Sequence, residues 1–504
     1  MPSAVIKRLF GSHPVPSVVS AHALVFGACL LLVVVCHWPY LSLPYYWDEL
    51  GQFIPASVDL LEHGQWVPMS TVPNVHPPGV MLWLALVWRL AGRSVPATRI
   101  AMLVIAAAGL YVTFLLAVRM GRQSPGAPAF AAALLMLTTP LFYTQAMMAQ
   151  LDMLAMAFTA LALWLFLERR YAACVIGCVA LVMTKETGVL LPVILASWLI
   201  VQEKRSRQAV WFGLPALALA AWLLFLKRST GNWFGDAAFA HYNVDYALDP
   251  VRVLFAIARR TWYLFLSDFR WIGALSILYG LLRSRLFHRP EWALLAVFFV
   301  SHVVLVSLLG GATLERYLLP VLPVLYIAVA TGWSVMERKW RQLSLAGLAA
   351  GMLAGFFWNP PFLFPFENNL AMVDFVELQQ TAVDYLRHAA PGSKVATAWP
   401  YTDALHNPEA SYVRQPFRVV ETSDFRPDKV VPAVEAGKPD LLVVYSRNWE
   451  PQWSLARWSV VDGFLRAYYD YQPQITAKEI EEQLGMHSRL RLSQRGQWVE
   501  IYSR

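Results

Sequence analysis

The chain has 504 residues, 57% hydrophobic and 15% charged, with a formal net charge of +8 and a mean hydropathy of +0.45. Soluble domains carry about 25% charged residues, and here apolar blocks alternate with short basic clusters. That pattern excludes an ordinary soluble domain, and the positive charge calls for no nucleic-acid partner, because most Lys and Arg lie in short loops where charge sets membrane topology.

In chain order, the first apolar run, residues 18–40, follows Lys7 and Arg8. It is too long for the apolar part of a cleaved signal peptide and reads as an uncleaved signal anchor. Further spanning helices are predicted at 98–118, 127–146, 152–168, 171–184, 187–203, 209–226, 261–282, 291–309, 317–335 and 342–358. Several are shorter than the roughly 20 residues a bilayer needs and must extend into flanking polar residues. The clusters Lys7/Arg8, Arg119/Arg122, Arg169/Arg170, Lys204/Arg205/Arg207, Arg283/Arg285/Arg289 and Arg338/Lys339/Arg341 fall in alternate loops. By the positive-inside rule they are cytoplasmic, which makes the number of spans odd and leaves the C-terminus outside. Lys227/Arg228 and Arg259/Arg260 fall on the outer side, against the trend. The segment VMLWLALVWRLAG (80–92) is short for a span, and counting it would reverse every later basic loop. It reads as a juxtamembrane helix on the outer interface, where Trp83, Trp88 and Arg89 suit the headgroup region.

The predicted fold class is therefore a polytopic α-helical membrane protein with about 11 spans and a juxtamembrane helix in the first outer loop. A C-terminal soluble α/β domain follows. The expected division is 1–358 for the membrane part and 359–504 for the outer domain. In the tail, VDFVELQQTAVDYLRHAA has helical period, with Val373, Val376, Leu378, Val383 and Leu386 as candidate core. SKVATAWP, PDLLVVYS and QWVEIYSR read as strands. The tail holds no nucleophile elbow, phosphate loop or metal cluster, and reads as a lid or acceptor platform. Gly347, Gly351 and Gly355 line one face of the last span and predict close helix packing. Cys29, Cys36, Cys174 and Cys178 all lie in apolar segments and read as packing residues, since no second ligand pair completes a zinc site.

Charged groups near membrane depth are costly and either pair or mark a functional path. Asp48 and Glu49 follow the first span, His76 opens HPPG, and Asp152 follows PLFYTQAMMAQ. Lys185 and Glu186 share a tight turn, and Glu315-Arg316-Tyr317 precedes the tenth span. Each has a bland reading. Asp48 or Glu49 is a solvated interfacial residue, His76 a rigid turn residue, Lys185 and Glu186 neutralise each other, and Arg316 snorkels to lipid phosphate. Against these stands the recurrence of anionic and cationic groups at one face.

The ordered set of DE after the first span, HPPG, TTPLFYTQAMMAQLD, TKETG and ERYLLPVLP resembles the C-type glycosyltransferases that use polyprenyl-phosphate sugars. The nearest branch contains the protein O-mannosyltransferases and the lipid A aminoarabinose transferase. The likeness covers roughly residues 18–335. His76 departs from it, since many aminoarabinose-transferase-like sequences carry Lys before the prolines. The resemblance implies an inverting single displacement that moves a hexosyl or pentosyl group from a membrane-embedded polyprenyl phosphate to an extracytoplasmic acceptor, whether glycolipid, polysaccharide or protein. It implies Asp48 as the catalytic base, with Asp152 orienting acceptor or a cation. Arg316 and Lys185, and more weakly His76, would face the leaving phosphate, for which an Arg fork is well suited. Glu49, Glu186 and Tyr317 complete the candidate substrate-binding set. A monophosphate leaving group demands no metal, so no cofactor is required, although Asp48, Glu49, His76 and Asp152 are residue types that take a divalent ion. The implied setting is a bacterial inner membrane with the site on the periplasmic side. Two other classes compete: a lipid or solute transporter, which would place polar groups at the midplane and show related halves, and a non-catalytic envelope-assembly scaffold.

Overall fold

The structure is a computed structural model that describes residues 18–122, 129–360, 362–389, 391–448 and 455–504. Helices fall on all of the predicted spanning segments, apart from 127–128, which lie outside the described residues. Among the described residues, five helices are long and apolar enough to cross a membrane: Ala21–Tyr40, Val95–Gly121, Ser206–Thr230, Pro290–Leu308 and Glu315–Ser334. The shorter apolar helices Gly79–Ala91, Leu151–Leu167, Tyr171–Val182 and Glu186–Val201 fill the places between them. Val95–Gly121 and Glu315–Ser334 are largely buried, whereas Ala21–Tyr40 turns Leu24, Leu31, Leu32 and Val35 outward. Apolar side chains exposed along one side of an apolar helix suit lipid.

Two predicted spans are not straight. Ala129–Thr138 and Pro140–Met147 meet at 70°. Pro140 starts the second helix, and the residue before a proline avoids the helical region, so Thr139 is extended at φ −71, ψ 121. Pro250–Phe265 and Ser267–Arg283 meet at 49°, with Asp268 and Phe269 at positive φ in the break. The Gly351 and Gly355 face of Arg338–Gly355 presses on this break, and a Cβ at either glycine would collide with Phe269 or Asp268. The close packing read from the glycine spacing is thus present.

Gly79–Ala91 has 13 residues, about 20 Å at 1.5 Å per residue, and is short for a 30 Å hydrocarbon layer. It buries Val80, Leu84 and Trp88 and packs against Ile54–His63 and Val95–Gly121.

The tail carries a five-stranded sheet. In chain order the strands are β1 (Lys394–Ala398), β2 (Arg418–Thr422), β3 (Leu441–Tyr445), β4 (His487–Gln494) and β5 (Gln497–Ser503). The order across the sheet is β2-β1-β3-β5-β4, parallel on the first three and antiparallel on the last. The helix Ala371–Ala389 buries Val373, Val376, Leu378, Val383 and Leu386, as its period predicts. Strands β2 and β4 were not expected. Both are edges, and their charged residues Arg418, Glu421, Arg489 and Arg491 hide the strand pattern. One hydrophobic cluster runs from the membrane helices into the sheet. Tyr412 Oη donates to the Tyr45 carbonyl at 2.8 Å, and the Trp399 indole occupies the space a Cβ at Gly51 would need.

Candidate active site

Asp48 and Glu49 diverge. Trp47 takes φ 42, and Glu49–Phe53 then winds as a wide helical turn. Successive residues of a helical turn point about 100° apart. Asp48 opens on a cavity of about 1310 Å³, while Glu49 is fully buried. Glu49 accepts from Arg99 Nη1 at 2.5 Å, from the Tyr46 amide at 2.8 Å and from the Ala149 amide at 2.7 Å. Arg99, also fully buried, donates onward to the carbonyls of Leu43, Pro44 and Met147. The pair fastens the loop after the first apolar helix to the segment that leads into Leu151–Leu167. Breaking such a buried pair costs about 3–5 kcal/mol. Glu49 does not line the cavity and does not touch Asp48's partners; it holds the loop that carries Asp48.

Arg316 is the hub of the site. It lies in the first turn of Glu315–Val321 and is nearly buried. Its Nη2 meets Asp48 Oδ2 at 2.5 Å, its Nη1 meets Glu367 Oε2 at 2.8 Å and Gln150 Oε1 at 2.9 Å, and its Nε lies 3.3 Å from Asp152 Oδ2. Lys185 Nζ sits 2.5 Å from Asp152 Oδ1 and 4.0 Å from the Tyr317 ring centroid. Asp152 occupies the first turn of Leu151–Leu167, where a carboxylate also suits the helix dipole. Three carboxylates thus face two cations in a buried network, leaving one excess negative charge. Burial, with Asp48 and Asp152 adding to it against the pull of Arg316, pushes the Glu367 carboxyl up to about 7.

Lys185 and Glu186 do not neutralise each other. Lys185 turns to Asp152, and Glu186 Oε2 pairs with His76 Nδ1 at 2.8 Å. His76 is held between Phe53 and Phe239, and the HPPG turn is tied down by the Gly79 amide on the Met183 carbonyl at 2.9 Å. A side chain at Gly79 would meet that carbonyl, so the close approach of HPPG to TKETG needs glycine.

The structure therefore joins Asp48, Asp152, Lys185, Arg316 and Tyr317 in one network and sets His76 with Glu186 as a second pair. Both open on the same cavity, which Asp152 and Glu49 do not line. Its opposite wall comes from the tail, with Trp399, Arg447, Tyr471 and Trp498. Among the described residues, no group of three or more His, Cys, Asp or Glu is arranged to hold a metal ion. The carboxylates around Asp48 converge on a guanidinium instead.

A second cluster lies behind the cavity wall. Arg252, Arg259 and Arg260 share the helix Pro250–Phe265. Arg252 Nη2 donates to the Gly311 carbonyl at 3.0 Å, Arg260 Nη1 to Ser307 at 3.2 Å, and Arg259 Nε meets Glu315 at 2.6 Å. Arg252 also stacks on Tyr246 and Tyr469. Nε and Nη1 of Arg252, Nη2 of Arg259, and Nε and Nη2 of Arg260 are buried without a partner among the described residues. Among the described residues, these three guanidinium groups make one ion pair, Arg259 with Glu315. Sequence reasoning noted Arg259 and Arg260 as an outer pair against the topology trend, but missed Arg252, Arg99, Gln150 and Glu367. Only the outer-side position of Arg259 and Arg260 gave a signal.

No protein-family model and no curated protein sequence matches the chain. Solved structures do match. ArnT from Cupriavidus metallidurans bound to undecaprenyl phosphate superposes with a TM-score of 0.57 at 14% identity, over 96% of this chain and 98% of that one. The chain has the ArnT fold. The same protein in the apo state gives a TM-score of 0.54 at 14% identity over the same shares. AglB from Archaeoglobus fulgidus, in complex with an inhibitory peptide and a dolichol-phosphate, gives 0.48 at 11% identity over 84% of this chain and 69% of that one. The C-type glycosyltransferase fold expected from the ordered motifs is the fold found, and the likeness to ArnT extends through the tail.

Proposed function

We propose that the protein is an integral-membrane inverting glycosyltransferase that moves a sugar from a polyprenyl-phosphate donor to an acceptor on the outer side. The observation that carries the reading is Asp48: a carboxylate just after the first apolar helix, held by Arg316 and open to a cavity of about 1310 Å³. The neighbouring fold belongs to a protein whose structure contains undecaprenyl phosphate.

Asp48 takes the proton of an acceptor hydroxyl as its oxygen attacks the anomeric carbon. The bond from that carbon to the donor phosphate breaks on the opposite face, and its electron pair leaves with the polyprenyl phosphate. Lys185, His76 and Tyr317 line the cavity and donate toward the phosphate as charge develops. Arg316 is already engaged by three carboxylates, so its part is to hold Asp48 rather than the leaving group. Excess positive charge comes from Arg252 and Arg260, one layer behind the wall formed by Gly310, Tyr242 and Tyr469. Asp152 fixes Lys185 and Arg316. The sugar class, hexosyl or pentosyl, and the acceptor class stay open, and the implied location is a bacterial inner membrane with the cavity facing the periplasm.

Purified protein in vesicles, given polyprenyl-phosphate sugars and acceptor candidates, tests the reading. Wild type transfers sugar, and Asp48→Asn loses roughly 10²-fold or more of turnover while remaining folded. Full turnover by Asp48→Asn removes the assigned role, and substrate crossing the bilayer without bond transfer makes the protein a transporter.

A further inference from the structure

Glu367 belongs to no motif that pointed to the site, and it comes from outside the membrane helices. It sits in the short helical turn Phe366–Asn368, between the last apolar helix and the tail's first helix. It is 4% exposed, and its neighbour Asn368 is 2% exposed. The two dipeptides Glu315-Arg316 and Glu367-Asn368 cross-link each other. Arg316 Nη1 donates to Glu367 Oε2 at 2.8 Å, and Asn368 Nδ2 donates to Glu315 Oε2 at 2.8 Å. The turn is anchored a third time where Thr144 Oγ1 donates to the Glu367 carbonyl at 2.5 Å. Through these bonds the entrance to the tail is fixed to the guanidinium that holds Asp48.

We propose that Glu367 is a positioning residue for the Asp48 base, so that the tail's seating on the membrane helices sets the geometry of Asp48 through Arg316. This rests on the proposed sugar transfer. Arg316 presents one fork nitrogen to each carboxylate, and a guanidinium fork is rigid and planar. Fixing Nη1 on Glu367 therefore fixes where Nη2 holds Asp48. An ionised Glu367 also grips Nη1 more firmly than a neutral one, because that hydrogen bond is then charge-assisted. A neutral residue at 367 holds that nitrogen, and with it the Nη2 that faces Asp48, less firmly. The charged and titratable groups that face Glu367 are Arg316, Asp48 and Asp152, with Tyr46 and Tyr317 beside them and Glu315 behind Asn368.

The test compares wild type with Glu367→Gln and Glu367→Ala in vesicles. In Glu367→Gln we expect kcat to fall about tenfold, KM for the donor to stay within about twofold, and the acid limb of the wild-type pH–rate profile to flatten. Glu367→Ala falls further. A merely structural carboxylate would be replaced by the near-isosteric Gln with kcat and pH profile unchanged, and that result overturns the proposal. A second readout needs no turnover: Tm in detergent for Asp48→Asn, Glu367→Gln and the double variant. Non-additive shifts support coupling through Arg316, and additive shifts overturn it. If wild type transfers no sugar, the proposed function fails by itself, and the Tm cycle still decides the coupling.

Discussion

The two buried charge clusters stand back to back and are opposite in kind. Around Arg316, three carboxylates compete for one guanidinium and one ammonium, and each carboxylate has a cation within 3.3 Å, although Arg316 Nε makes no hydrogen bond among the described residues. Around Arg260, the three guanidinium groups make one ion pair among the described residues, Arg259 with Glu315, and five of their nitrogens have no hydrogen-bond partner there. Glu315 and Arg316 are sequence neighbours, so one peptide bond separates a negative pocket from a positive one. A paired ion network positions its members, whereas buried cation N–H groups without acceptors cost free energy that an acceptor, most strongly an anion, recovers. The first cluster is suited to hold a base, and the second to draw a phosphate.

The sharpest way to break this contrast is to remove one arginine from each side. Arg316→Met leaves three buried carboxylates without their shared cation and is expected to cost about 3–5 kcal/mol, seen as a loss of folded protein or a large fall in Tm. Arg260→Gln takes away a cation that lacks partners and is expected to leave stability within about 1 kcal/mol of wild type, or to raise it. Equal losses from the two variants would dissolve the distinction.

A smaller effect comes from pH. Glu367 keeps its proton up to about 7 in the folded chain but only to about 4.3 when unfolded. The folded state therefore binds the extra proton across that window, and stability falls as pH rises through it. Measured against Glu367→Gln, wild-type stability should fall from pH 4 toward pH 7, by about 3 kcal/mol. A difference that is flat with pH contradicts the burial of a competing carboxylate. The smallest effect marks the edge of the network. Arg93 bridges Glu62 and the tail's Glu409 at the surface, and Glu409→Ala should change Tm by an amount worth under about 1 kcal/mol. A larger loss would mean that the tail is held at its rim rather than at Arg316.

Much of the helical part was legible. Long apolar runs report spans directly, and the glycine face of Arg338–Gly355 reported a close contact. The 70° break was not read, although the Pro140 that causes it was in view. In the tail, Val373 through Leu386 show a helical period and the buried strands β1 and β3 are short apolar runs bounded by turn residues, while β2 and β4 are charged edges. At the site, Asp48, Asp152, Lys185 and Arg316 were legible as a set because they sit at helix ends next to apolar runs. Their pairing was not: which of Lys185's neighbours it meets depends on how loops far apart in sequence converge. Glu49 and Arg99 are 50 residues apart, and Arg316 and Glu367 are 51 apart. No local pattern links them, and each looks like an ordinary surface charge until the fold buries it.

The division of labour between the clusters is tested most directly by the binding of sugar-free polyprenyl phosphate to wild type, Arg260→Gln and Asp48→Asn, in detergent at fixed salt. The account predicts that Arg260→Gln weakens binding about tenfold, a loss of about 1.4 kcal/mol, while Asp48→Asn binds as well as wild type or better. Unchanged binding in Arg260→Gln together with weakened binding in Asp48→Asn would contradict it.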